Sequence, residues 1–351
     1  MIKTKRVSLC RVWWSILGLV TVVVGASISG CGSTPEPTPT PTKTPTLPAV
    51  STPTVVSKAE VTPTPSPAPT REATPTSTPT EVPTNTPTPV PLIDIGPNVN
   101  PLTGETVDNP ENLDRRPLAV KIPNFPPEAR PQSGLSEADV VVEHEAEAYL
   151  TRFTAIFLGI DGVSELGPVR SVRLIDSEIV PIFRAALVTS GGHMAVKTRA
   201  TEGKAWAEGY ERIISPEEPF LGDGGALGRL PKEGRRYELT LYSDTESLWE
   251  VVSERGVSER PEWQDMWTFS EMPPAGGIEA NGLKIVYKPT HAEVEYQYDD
   301  ESQTYKRFDV GQPLTDALTG EQIAPSNVLV LWVNHTDTDI AADTHDPDNI
   351  W

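Results

Sequence analysis

Cysteine is nearly missing from this 351-residue chain: there are two, Cys10 and Cys31, and none after residue 31. That excludes disulfide staples, thiol nucleophiles and cysteine-ligated zinc from the bulk of the protein. Histidine is scarce, at five, and 29 Lys+Arg stand against 49 Asp+Glu for a net charge of −20. Such a balance argues against nucleic acid or an anionic lipid surface as the main partner. No HExxH, P-loop or GxGxxG spacing occurs, and the glycines of 221–234 (LGDGGALGRLPKEG) do not match a phosphate-binding loop.

One apolar stretch, 12–28, approaches membrane-spanning length. It follows four basic residues (Lys3, Lys5, Arg6, Arg11) and leads into Ser29-Gly30-Cys31. Small residues before a cysteine, behind an export-type apolar core, resemble a bacterial lipobox. Residues 1–31 are therefore expected to be a lipoprotein signal peptide, with Cys31 diacylated (palmitate-type chains) as the mature N-terminus and membrane anchor. The competing reading is an uncleaved membrane helix at the lower limit of spanning length. Loss of the four basic residues would leave the mature chain near −24.

Proline is abundant where periodicity is absent: 17 of the 37 prolines fall in 32–91, among repeated Thr-Pro steps. With nothing there to bury, this segment is expected to be a disordered, polyproline-like linker. At about 3.1 Å per residue it spans at most roughly 190 Å, a stalk that lifts a head away from a bilayer.

The head divides by pattern. Residues 92–258 alternate strand-like and helix-like runs, an α/β domain. Strands are expected over 117–122, 138–147, 151–158, 187–190 and 237–242, with helices over 172–186, 195–208 and 245–255. Beyond Pro261 the pattern is β only, with runs at 267–269, 282–287, 292–298, 304–308 and 328–333 and a hairpin turn over 299–303. Residues 261–351 are therefore expected to form a smaller, mostly-β C-terminal domain.

The stretches RPQSGLSEADVVVE (130–143), TRF (151–153) and GPVRSVR (167–173), set behind a lipobox, resemble the YerB-like bacterial lipoproteins, a family built on a two-part domain of unknown function. The resemblance spans about 98–334. It implies an extracytoplasmic, lipid-anchored envelope protein and no established reaction. Two places depart from the family: Tyr149-Leu150 stands where Gly-Gly is usual, and Tyr237-Glu238-Leu239 where Pro-His-Asn is common. Family members commonly continue past the last strand, so the C-terminal domain reads as truncated.

The candidate site lies in 130–193. Arg130, Gln132, Arg152, Arg170, Ser171, Arg173 and His193 are expected to line an anion site, with Ser171 capping a helix whose start favours negative charge. Asp139, Glu143, Glu145 and Glu147 alternate onto one strand face, with His144 on the apolar face. These carboxylates make an internal ion-pair network the equal competitor. They also leave open a bound divalent cation, although no resident cofactor or metal is expected. The acidic tail 334–349 lacks the order of an EF-hand loop. An envelope ligand-binding or accessory protein, meeting a cell-wall or phosphate-bearing ligand, is the leading reading. An envelope hydrolase or transferase acting on a phosphate-linked or glycan substrate is the alternative.

Overall fold

The strongest apolar alternation builds the central sheet. Its strands and helices are β1 (Leu118–Pro123), β2 (Val140–Glu145), β3 (Thr151–Phe157), α1 (Asp176–Ile182), β4 (Ala186–Val188), α2 (Met194–Thr201) and β5 (Ile213–Ile214). A computed structural model describes residues 94–262, 267–270, 272, 277–338, 340 and 349–350, all within one compact unit, 81–351. The expected signal peptide with Cys10 and Cys31, the expected stalk and most of the acidic tail lie outside the described residues. Strand order is β2-β3-β1-β4-β5. β3 runs antiparallel to both β1 and β2, whereas β1, β4 and β5 are parallel. Parallel neighbours need a crossover, and α2 supplies it between β4 and β5.

Period two sorts the central strands between two cores. Leu118, Val120, Ile122, Phe153, Ala155, Phe157, Ala186 and Val188 face one. Ala119, Ile156, Leu158, Leu187 and Ile213 face the other, beneath α1 and α2. Two short strands, β6 (Gly228–Arg229) and β7 (Leu241–Tyr242), pair antiparallel before α3 (Thr245–Glu254). The carboxylate of Asp244 caps α3 by accepting the N–H of Ser247 at 2.8 Å. Leu248, Val251 and Val252 of α3 are buried in the first core. Each such side chain contributes roughly 1.5–3 kcal/mol by leaving water.

The C-terminal part is a purely antiparallel sheet of β8 (Gly282–Lys288), β9 (Ala292–Asp299), β10 (Thr304–Asp309) and β11 (Gln312–Pro313), in the order β11-β10-β9-β8. Val310 (φ +49°) and Gly311 (φ +74°) link β10 to β11. Two positive φ values in a two-residue link match the twist of a hairpin. Leu314, just after β11, is buried in the same core as α3.

Several elements are shorter than their sequence patterns predict. The strand read over 138–147 stops at Glu145, because Ala146 (φ −122°, ψ −139°) leaves extended geometry and Ala148 and Tyr149 take positive φ. The helix read over 172–186 is only α1, closed by Pro181 inside it and Arg184 at φ +47°. Ser171 therefore caps no helix. The Asp176 carboxylate instead accepts the Arg173 N–H at 2.7 Å. The 195–208 helix ends at Thr201, with Gly203 at φ +67° and a 3-10 turn, Ala205–Tyr210, behind it. Stretches 267–269 and 328–333 pair with no strand among the described residues, and Trp332 is 95% exposed.

Candidate functional site

The carboxyl ends of β1, β4 and β5 form one rim of the sheet, joined by the end of β2 and the start of β3. Ligands of open α/β sheets meet such rims. Arg152 is the second residue of β3 there, in register with His144. Arg170 is hung from the same rim by its backbone, its N–H donating to Lys121 O at 2.9 Å and its carbonyl accepting from Ser190 N at 3.0 Å. The Thr189 hydroxyl donates to that carbonyl as well, at 3.0 Å. Ser171 lies with its Oγ 3.5 Å from the Ser190 hydroxyl. His193 caps α2, its Nδ1 accepting the Ala195 N–H at 3.3 Å. Next to it, the N–H of Gly192 donates to the Glu217 carboxylate at 3.0 Å. A Cβ at Gly191 (φ +109°) would collide with that Glu217 side chain.

Beneath this rim is a buried charge cluster that sequence reasoning missed. Lys121 is fully buried on β1, and its Nζ meets Asp176 Oδ1 at 2.7 Å, Thr154 Oγ1 at 2.5 Å and His144 Nε2 at 2.9 Å. All three ammonium hydrogens are thus used. Because Lys121 donates to Nε2, His144 carries its proton on Nδ1, which donates to Glu145 O at 2.9 Å. Burial, then the Lys121 charge, pushes the His144 pKa down to about 3, so the ring is neutral. Burial also lowers Lys121 to about 8, which still leaves it charged at neutral pH. Burial alone would raise Asp176, but the Lys121 ammonium and the Arg173 N–H outweigh it and hold the carboxylate low. The signal was present in the sequence, as a lone lysine in the apolar run LAVKI.

The predicted arginines divide. Arg152 and Arg173 share Glu147, the first at 3.8 Å and the second in close contact. One further donor of each meets backbone, Arg152 Nη1 on Ser171 O at 2.9 Å and Arg173 Nη1 on Val172 O at 2.8 Å. Arg130 stands apart, its Nε donating to Asn124 O and Oδ1, both at 3.0 Å, beside a hollow of about 180 Å³ that also touches Asp309 and Gln312. Gln132 is buried, its amide donating to Pro123 O at 2.8 Å. Arg170 makes no ion pair among the described residues, and its Nη1 donates to Glu238 O at 3.3 Å. Its Nε is buried with no hydrogen-bond acceptor among the described residues. Burial, then the charge of Arg152, lowers its pKa to about 10; Glu238 opposes this, and Arg236 and Arg229 add to the repulsion.

The carboxylates divide as well. Asp139 accepts from Leu158 N at 2.5 Å, Gly159 N at 3.1 Å and Asn100 Nδ2 at 2.6 Å, away from the four arginines. Burial raises its pKa in spite of those bonds. Glu143 faces the first core and chelates Arg307 of β10, at 2.8 and 3.1 Å. Arg307 also meets Asp309 at 3.0 Å and stacks 5.0 Å from the Phe153 ring centre. Glu145 lies 3.4 Å from His335. Among the described residues no three His, Cys, Asp or Glu side chains converge as metal ligands.

Two family models match consecutive stretches of the chain: residues 102–258 match the N-terminal domain, and 283–349 the C-terminal domain, of "Protein of unknown function (DUF3048)". YerB of Bacillus subtilis (strain 168), named as a candidate lipoprotein, is 29% identical over 239 residues, which is 67% of each chain. The crystal structure of YerB from Bacillus subtilis is similar with a TM-score of 0.54 at 26% identity, covering 72% of this chain and 79% of that one. The α/β part and the antiparallel C-terminal sheet match that two-domain arrangement. This chain therefore belongs to the DUF3048 family of proteins of unknown function.

Proposed function

We propose that this is an extracytoplasmic lipoprotein, anchored in the membrane through acylated Cys31, whose head binds an anionic envelope ligand at Arg170. The proposed division is a signal peptide over 1–31, a stalk over 32–91, an α/β domain over 92–258 and a mostly-β domain over 261–351. The lipoprotein name of YerB and the Ser29-Gly30-Cys31 stretch support the anchor.

The observation that carries the binding reading is the contrast among the rim arginines. Glu147 gives Arg152 and Arg173 a shared carboxylate partner, while among the described residues Arg170 makes no ion pair and its buried Nε meets no acceptor. Arg152, Arg236 and Arg229 raise the potential around it, opposed in part by the Glu238 carboxylate. A guanidinium in such a field favours the forked oxygens of phosphate or carboxylate. Binding fits better than acid–base chemistry, since Glu143 and Glu147 are held in ion pairs and the His193 Nδ1 is used as a cap.

Thermal melting of the detergent-solubilised full chain against phosphate, pyrophosphate and a polyprenyl phosphate tests this. Saturable stabilisation of about 2.7 kcal/mol at a hundredfold excess over Kd is expected, absent in Arg170→Ala and retained in Arg130→Ala. An equal shift in Arg170→Ala, or none with any anion, would overturn it.

A further inference from the structure

At the opposite rim of the sheet, three arginines stand within two residues of the starts of the three parallel strands: Arg116 before β1, Arg184 before β4 and Arg212 before β5. The parallel register gathers them. The Arg116 Nη1 donates to Arg184 O at 2.7 Å and its Nε to Val257 O at 2.5 Å, while the Arg212 carbonyl accepts from Leu187 N at 2.8 Å. None of the three makes an ion pair among the described residues. They also repel one another: after burial, neighbouring guanidiniums lower the pKa values of Arg116 and Arg212, with the Glu259 charge opposing this at Arg116. Three clustered guanidiniums with no ion pair among the described residues, one of them only 6% exposed, favour a further negative partner.

A surface hollow of about 430 Å³ opens beside this cluster, lined by Trp206, Glu208, Gly209, Glu211, Arg212 and Val257. That size falls in the range of small-molecule sites. Trp206 is 8% exposed, and its Nε1 is buried with no acceptor among the described residues. Gly209 (φ +68°) leaves room for the Glu211 carboxylate where any Cβ would collide with it. The wall thus carries both charge signs and an indole surface. A bare anion would meet Glu208 and Glu211, and a simple cation would meet Arg212. A molecule with an ammonium, a carboxylate and a short apolar body suits all three features.

We infer that this hollow binds a short peptide through its free termini, the C-terminal carboxylate on Arg212 with Arg116 and Arg184 behind it, and the ammonium on Glu208 and Glu211. This site is separate from Arg170 and does not depend on the anion reading.

Calorimetric titration of the detergent-solubilised full chain with alanyl-alanine, in L,L and D,D forms, tests it. The two forms distinguish an ordinary peptide from one with D residues, and saturable binding of either supports the site. N-acetylation or C-amidation of the dipeptide is expected to weaken binding at least tenfold, as is Arg212→Ala, whereas Arg170→Ala leaves it unchanged. Arg212→Lys keeps the charge and is expected to retain part of the affinity. The blocked dipeptides test the assignment on unaltered protein, whatever Arg212→Ala does to folding. No saturable binding of either form, or binding that survives both amidation and Arg212→Ala, would overturn the proposal.

Discussion

Lys121 shows what a single side chain does to this fold. Its ammonium and the Asp176 carboxylate are both fully buried, so removing one partner strands the other in a low-dielectric core. Lys121→Met is expected to cost about 3–5 kcal/mol in urea denaturation, and Lys121→Met with Asp176→Leu to recover most of it. His144 makes a pH prediction with a definite sign. Its pKa falls from an ordinary 6.5 to about 3 on folding, so between those values the unfolded chain holds a proton that the folded chain lacks. Stability contributed by His144 is therefore complete above pH 6.5 and is lost as pH drops toward 3, by up to about 1.4 kcal/mol per pH unit. His144→Gln, whose amide oxygen can accept from Lys121, is expected to flatten that part of the stability–pH curve. A curve identical to wild type would contradict the assignment. At this scale the sequence showed the rim arginines and their glutamates as residue types. It did not show that Arg152 and Arg173 share Glu147, because that pairing depends on the chain leaving the strand at Ala146.

Among the elements, β2 and β10 decide how the C-terminal sheet is held. Arg307 is 3% exposed and bound to both Glu143 and Asp309, with Asn124 bridging those two carboxylates at 3.2 and 3.3 Å. Arg307→Met leaves two buried carboxylates together and is expected to cost about 3–5 kcal/mol by chemical denaturation. Arg307→Lys, which loses the forked geometry, should fall between the two. The stretch 328–333 behaves differently from its pattern. Leu329, Leu331 and Trp332 are 66%, 75% and 95% exposed, so the pattern that predicts a strand finds no partner among the described residues. Exposed runs of this kind drive association. Leu331→Glu with Trp332→Glu is expected to lower concentration-dependent light scattering, and unchanged scattering would place the association elsewhere. The β-hairpins of the C-terminal sheet were legible because turn residues separate alternating runs. The helix over 172–186 was overread because spacing of apolar residues says nothing of Pro181 and the positive φ at Arg184.

For the whole molecule, anchoring is the main prediction. Cys31→Ser is expected to move the protein from the detergent phase to the aqueous phase on partitioning and to abolish incorporation of labelled palmitate. Under this proposal the mature chain carries about −24 once the four leader bases are gone, a charge that would oppose self-association of the head above the membrane. Composition and pattern alone determined the thiol-poor, acidic character and the order of an α/β part before a β part, and they carry the proposals of a lipobox and a proline-rich linker, because these are properties of chain segments that need no distant contact. Only the tertiary structure decided which charges neutralise one another. Lys121 with Asp176, Glu143 with Arg307, and Arg116 beside Arg184 and Arg212 are brought together across dozens of residues by strand register and helix crossing. Burial then makes each pairing or lack of pairing energetically significant, and no local pattern carries that information.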